Sequence, residues 1–168
     1  MLLTIHHPEG NFTLPDRYRK QQDLDGSVRE GFVCFRDATR QDELVATARH
    51  AAELGFERIA FDDDLRDAFC YCDQHLSGFD GFRGKTRDQI ARILNAVVEE
   101  PEQEQLRIDW YHSKNQGMAE FACRLREAIH TVNPACRIGI FTSAKRCQDF
   151  SGRSLWPWAR LFHTDQAP

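Results

Sequence analysis

Apolar residues occur along this chain as short runs and as helically spaced stripes, and the switch between the two patterns divides it into elements. Leu2 to Ile5 reads as a short strand, whereas the polar, turn-rich stretch from Pro8 to Glu30 shows no definite element. Gly31-Phe-Val-Cys-Phe35 is an apolar run that stops at Arg36-Asp37, the pattern of a buried strand. Thr39-Arg-Gln-Asp42 has the form of a capping box, in which the threonine oxygen accepts from the third residue's amide while an acidic side chain reaches back. Leu44, Val45, Ala48, Ala52 and Leu54 then recur at helical spacing, and Gly55 is placed to end that helix in a left-handed cap. A second strand, Phe56 to Phe61, runs directly into Asp62-Asp63-Asp64. Strand, helix and strand joined by short links predict a parallel pair crossed by the helix.

The capping signature returns at Thr86-Arg-Asp-Gln89, followed by a stripe of Ile90, Ile93, Leu94, Val97 and Val98 that reaches Pro101. From Pro101 a further helix is predicted, its second part marked by Met118, Phe121, Leu125, Ile129 and Val132, and Asn133-Pro134 stops it. Arg137 to Thr142 reads as a third strand, and Trp158 to Phe162 as a short helix. Alternation of this kind predicts an α/β fold with a mainly parallel sheet, as one domain over residues 1–168.

Composition narrows the function more than the fold. A chain of 168 residues that is 41% hydrophobic and 29% charged can bury a core without help from disulfides. Its net charge of −4 argues against nucleic acid held by bulk electrostatics and suits a sugar, a small metabolite or another protein. No signal peptide is visible in MLLTIHHPEGNF, and no apolar run approaches the length of a membrane span, so the expected place is the cytoplasm. The six cysteines are accordingly expected as reduced thiols or metal ligands.

Three carboxylates side by side repel one another, which raises the question of what Asp62, Asp63 and Asp64 face. In parallel sheets ligands bind beyond the carboxyl ends of the strands, and this run occupies such an end. Alternation along an extended chain directs Asp62 and Asp64 one way and Asp63 the other. Crowding raises the pKa of one carboxyl and so retains a proton for general-acid work, whereas a divalent cation would hold both ionised. The plainer reading has the aspartates capping the next segment and bonding to Arg66. Ser143 and Lys145 follow the third strand and fall at the same end of the sheet, as candidate contacts to a ligand. Trp110, within Asp109-Trp-Tyr-His112, suits stacking on a sugar ring or closing a core.

A second cluster is Cys70-Tyr-Cys72-Asp-Gln-His75, three soft-metal ligands within six residues. Cys34, at the end of an earlier strand, supplies a fourth if the two segments are neighbours, which would complete a structural zinc site. The alternative is that Cys70 and Cys72 act as small apolar residues and His75 bonds locally. His6 and His7 are weaker candidates, since adjacent residues of a strand point to opposite faces.

The blocks IAFDDDLRDAFCYCDQHLSGF and LRIDWYHSKNQGMAEFACRLREAIHTVNPACRIGIFTS resemble bacterial glycoside-hydrolase-like (β/α)8-barrel proteins. The positions that carry the resemblance are Asp62, Asp63, Asp64, Leu65, Arg66, Cys70, Cys72, Arg107, Trp110, His130, Val132 and Pro134, within a stretch from about Thr39 to Ser143. The resemblance implies a carbohydrate pocket at the carboxyl ends of the strands, with two acidic residues as acid/base and as nucleophile or second base. A full barrel takes about 250 residues. The expected architecture is therefore a partial TIM-barrel-like parallel sheet of three to four strands with flanking helices, either an excerpt of a longer barrel or a module whose open edges invite a homo-oligomer. No Asn-Glu pair follows a strand, so the expectation is a carbohydrate-binding, glycosidase-like protein with an incomplete catalytic set, with Asp62, Asp63, Asp64 and Arg66 at its ligand site. Two other readings stand beside it: a D-x-D site for a divalent cation and a nucleotide sugar, as in glycosyltransferases, and a non-enzymatic interaction module stapled by zinc at Cys34, Cys70, Cys72 and His75.

Overall fold

The computed structural model describes residues 2–3, 14–61, 67, 69–95, 100–140 and 160–163. Strand β1 (Leu2–Leu3) is followed by β2 (Lys20–Gln22) and β3 (Val28–Val33), helix α1 (Ala38–Glu53), β4 (Arg58–Phe61), the short helix α2 (Asp73–Ser77), α3 (Arg87–Asn95), the 32-residue helix α4 (Pro101–Val132) and β5 (Arg137–Ile140). A single 3-10 turn at Asp80–Phe82 separates α2 from α3.

The described strands form two small sheets, and the barrel-like wall of three to four strands is not built. β4 and β5 pair in parallel from Arg58–Arg137 to Phe61–Ile140, and β1 adds only Leu2 and Leu3 along the other edge of β4. The apolar run at Gly31–Phe35 does not join this sheet. Its strand β3 pairs antiparallel with β2 instead, in a separate ribbon that the irregular reading of Pro8 to Glu30 overlooked. The hairpin is closed by Asp23-Leu-Asp-Gly-Ser27, in which Gly26 takes φ 90°, Asp23 N–H donates to the Ser27 carbonyl at 2.9 Å and Asp25 accepts from Ser27. β3 pairs with β2 and not with β4, so the expected strand–helix–strand unit is not a crossover between neighbours.

Helix α1 starts three residues after the end of the Gly31–Phe35 run, capped by Asp37 and not by Thr39. The Asp37 carboxylate accepts from Arg40 N–H at 2.7 Å with one oxygen and from Arg19 N–H at 2.7 Å with the other. The choice has a tertiary cause, because Asp37 alone satisfies both a helix end and the entry of the hairpin. Gly55, at φ 83°, ends the helix as its position implies. Before α3 the capping box is formed in full, Thr86 N–H donating to Gln89 Oε1 at 2.8 Å and Gln89 N–H to Thr86 Oγ1 at 3.3 Å.

Two cores share α4, which is about 48 Å long at 1.5 Å per residue. Its C-terminal half packs Met118, Phe121, Ala122, Leu125 and Ile129 against Leu44, Ala48, Ala51 and Ala52 of α1 and against Ile59 and Phe61 of β4. Its N-terminal half contributes Trp110 to a second cluster with Phe82, Ile90 and Ile93. A third, small cluster consists of the buried Cys34, Cys70 and Cys72. Residues 160–162 form a helical turn that brings Phe162 onto the first core, stacked 6.5 Å from Phe61.

Candidate metal centre

Cys34 leaves the end of the β2–β3 ribbon, where its N–H donates to the Arg19 carbonyl at 2.8 Å. Cys70, Cys72 and His75 come from the segment that enters α2. Phe69, the residue before Cys70, holds φ 59°, a left-handed conformation costly for a residue with a side chain, and its ring is exposed. That turn sends the chain inward at Cys70, which is fully buried. Cys72 is the N-cap residue of α2, and its carbonyl accepts from both His75 and Leu76 N–H, so the first turn of the helix carries His75 back over it. The ribbon and this segment are tied by Tyr71 N–H donating to the Gln22 carbonyl at 2.8 Å. Arg87, at the start of α3, clamps the same junction through the Tyr71 carbonyl at 3.0 Å, Gln22 Oε1 at 3.1 Å and Asp73 at 2.8 Å.

The result is four buried donor atoms within 4.8 Å of one another, from Cys34, Cys70, Cys72 and His75. Cys34 Sγ lies 3.7 Å from Cys72 Sγ and 3.6 Å from His75 Nδ1, and Cys72 Sγ lies 3.3 Å from His75 Nδ1. A tetrahedral zinc ion with bonds of about 2.3 Å to sulfur and about 2.0–2.1 Å to nitrogen requires sulfur–sulfur edges of about 3.8 Å and sulfur–nitrogen edges of about 3.6 Å. The three edges match that tetrahedron to within about 0.3 Å. This group could hold a metal such as zinc.

The other face of the imidazole is fixed as well. His75 Nε2 lies 2.7 Å from Asp67 Oδ1, both groups fully buried, so a neutral ring protonated at Nε2 presents its Nδ1 lone pair to the sulfurs. Burial works against charge on His75, yet the Asp67 carboxylate and the adjacent sulfurs outweigh it and push the imidazole up to about 10. Burial likewise works against the Asp67 carboxylate, but the hydrogen bond and charge of His75 hold it below its ordinary value. Among the thiols, hydrogen bonds to Cys70 and Cys72 together with burial raise Cys34, while hydrogen bonds from Cys34 and Cys70 lower Cys72. The cluster without metal thus favours a thiolate at Cys72 beside an imidazolium, a charge-paired arrangement whose protons a metal cation would displace.

Two cations stand behind the carboxylate. Lys114, on the buried face of α4, donates from Nζ to the Asp67 carbonyl at 3.1 Å and sits 5.0 and 5.2 Å from the Trp110 and Tyr71 rings. Desolvation lowers its pKa, opposed by the charge of Asp67. Arg36 Nε faces Asp67 Oδ2 at 3.7 Å, and that oxygen accepts no hydrogen bond among the described residues.

The metal ligands anticipated from spacing are therefore brought together. Trp110, offered above as a sugar-stacking surface, is 1% exposed and enclosed by Tyr71, Phe79, Phe82 and His75, which leaves no ring face open to a ligand from solvent. Asp62, Asp63, Asp64, Arg66, Ser143 and Lys145 lie outside the described residues, as do His6 and His7. Sequence reasoning missed Asp67, Lys114 and Arg36. Of these only Lys114 leaves a signal: it falls in the stripe Trp110, Lys114, Met118, Phe121, Leu125, a lone charge on an otherwise apolar helix face.

No family model matches the chain, and neither does any curated protein or solved structure. The resemblance to glycoside-hydrolase-like barrels thus stands on the residues quoted for it alone. Among the described residues no helix is long and apolar enough to cross a membrane.

Proposed function

We propose that Cys34, Cys70, Cys72 and His75 bind one zinc ion as a structural cross-link, and that the chain is a zinc-stapled α/β module. The observation that carries this reading is the set of four buried donors within 4.8 Å of one another, with the Cys34, Cys72 and His75 separations close to those of a tetrahedral site. All four positions are filled by protein, the hallmark of a structural site; a catalytic zinc keeps one position open for water or substrate. Three sulfurs and one imidazole favour zinc over magnesium or calcium, which take oxygen ligands. The staple fastens the β2–β3 ribbon to the segment entering α2, two regions that among the described residues are also joined by the Tyr71–Gln22 backbone bond and the Arg87 side chain. Elemental analysis of protein purified without added metal should give close to one zinc per chain, and cobalt substitution should produce the intense near-ultraviolet thiolate band of a tetrahedral centre. Protein that folds identically with no stoichiometric metal, or a Cys72→Ser variant that retains it with unchanged affinity, overturns the assignment.

A second reading draws on the register of the parallel sheet. Leu3, Phe61 and Ile140 are aligned, so the chain leaves β1, β4 and β5 at one end, and the acidic run Asp62–Asp64 directly follows β4. Under this reading the staple anchors the chain downstream of a carbohydrate site at that end, with those aspartates as its acidic groups. Binding or turnover of aryl glycosides and oligosaccharides that is lost in Asp63→Asn and Asp64→Asn supports it. Indifference to every sugar removes it and leaves the staple untouched.

A further inference from the structure

A groove of about 510 Å³ opens between the start of α1, the end of α2 and the middle of α4, a size within the usual range for small-molecule sites. Arg36 lines it, together with Gln74, Ser113, Gln116, Glu120 and Arg124. The Arg36 side chain as a whole is 21% exposed, and its Nε faces Asp67. Its two Nη nitrogens have no hydrogen-bond partner among the described residues. A half-buried guanidinium with one edge unpaired among the described residues presents a planar fork, the shape that matches a carboxylate bidentately.

Glycines make the space for that fork. A Cβ on Gly78 would come within 3.0 Å of Arg36 Nη1, tighter than a normal contact, and one on Gly117 would stand 3.8 Å from Nη2. Gly117 lies in the interior of α4, where glycine costs about 1 kcal/mol relative to alanine. Arg124, by contrast, is committed to Gln41 and Asp42, so it does not compete for the ligand's charge.

We propose that this groove binds a small, hydroxyl-bearing monocarboxylate, with Arg36 as the bidentate anchor, the Gln74 side chain bonding its hydroxyls, and Ser113 Oγ and Gln116 Oε1 accepting from them, since the Ser113 hydroxyl already donates to the Trp110 carbonyl and the Gln116 amide to Glu120. The local charges select a monoanion. Asp67 already faces the same guanidinium and Glu120 lines the groove, so a phosphate dianion would bring about twice the charge of a carboxylate against the same two carboxylates. The inference goes beyond the staple, although Arg36 also faces Asp67, the partner of the metal ligand His75.

Isothermal titration of the zinc-loaded full chain with gluconate, glucuronate, inorganic phosphate and glucose tests it. Both carboxylates should bind, with glucose and phosphate at least about tenfold weaker. Arg36→Lys keeps the charge but loses the fork and should weaken gluconate binding by roughly tenfold. Glu120→Gln removes an exposed like charge without touching a core and should tighten gluconate by roughly threefold at low salt, an effect that fades as salt rises. Phosphate binding as tightly as gluconate would refute the selectivity, and an unchanged affinity in Arg36→Lys would refute the anchor. If Arg36→Lys does not fold, Glu120→Gln decides: no gain in affinity refutes the proposal.

Discussion

Replacing Lys114 with methionine removes the ammonium, and with it the charge and the bond to the Asp67 carbonyl, while the apolar stem is kept. A zinc ion with three thiolates carries one net negative charge and Asp67 adds another, which Lys114 and Arg36 together balance. Lys114 is 1% exposed, so its charge is not screened by solvent, and Nζ also satisfies the Asp67 carbonyl. Removing one partner from a buried charge arrangement costs about 3–5 kcal/mol, because the remaining charge is left uncompensated. For a chain of this length a loss of 3 kcal/mol corresponds to a fall in Tm of about 6–12 °C. Urea unfolding of the zinc-loaded protein, read by circular dichroism, measures it. The double variant Asp67→Asn/Lys114→Met separates charge from packing: asparagine can still accept from His75 Nε2, and with both charges gone part of the loss should be recovered, giving a coupling of at least about 1 kcal/mol. A loss below 1 kcal/mol in Lys114→Met, or strictly additive effects in the double variant, would refute the charge balance.

The cap of α1 gives a discriminating pair: Asp37→Ala should cost about 1–2 kcal/mol through loss of the Arg40 and Arg19 bonds, while Thr39→Ala should be nearly neutral, both read by urea denaturation. Gly55→Ala should destabilise by about 1–2 kcal/mol through backbone strain alone, since a Cβ there meets nothing within 4 Å; an unchanged midpoint would show that the helix end relaxes freely. Metal removal should act regionally. After chelation, hydrogen exchange should accelerate in residues 19–35 and 70–78, while the C-terminal half of α4 and its partners in α1 stay protected by a core without metal ligands; uniform acceleration would mean that the two regions unfold as one.

Most of the helices were legible in the residue order, because a helix closes its hydrogen bonds within itself and its apolar stripe and caps are local. Thr86-Arg-Asp-Gln89 reads as a capping box and forms one, Pro101 and Asn133 bound α4, and Gly55 ends α1. The same locality made Cys70, Cys72 and His75 visible as ligands, since all three lie within six residues. Strand partnership is a different kind of fact. The run Gly31–Phe35 fits a buried strand of any sheet, and only the pairing with β2, signalled weakly by Asp25-Gly26, decides that it forms a ribbon outside the β1–β4–β5 sheet. Asp37 prevails over Thr39 because Arg19, 18 positions earlier, needs an acceptor, and Lys114 and Arg36 acquire their roles because folding brings them to Asp67. Local periodicity sets which segments become regular, whereas contacts between residues tens of positions apart set which donors meet, and the metal centre is made of such contacts.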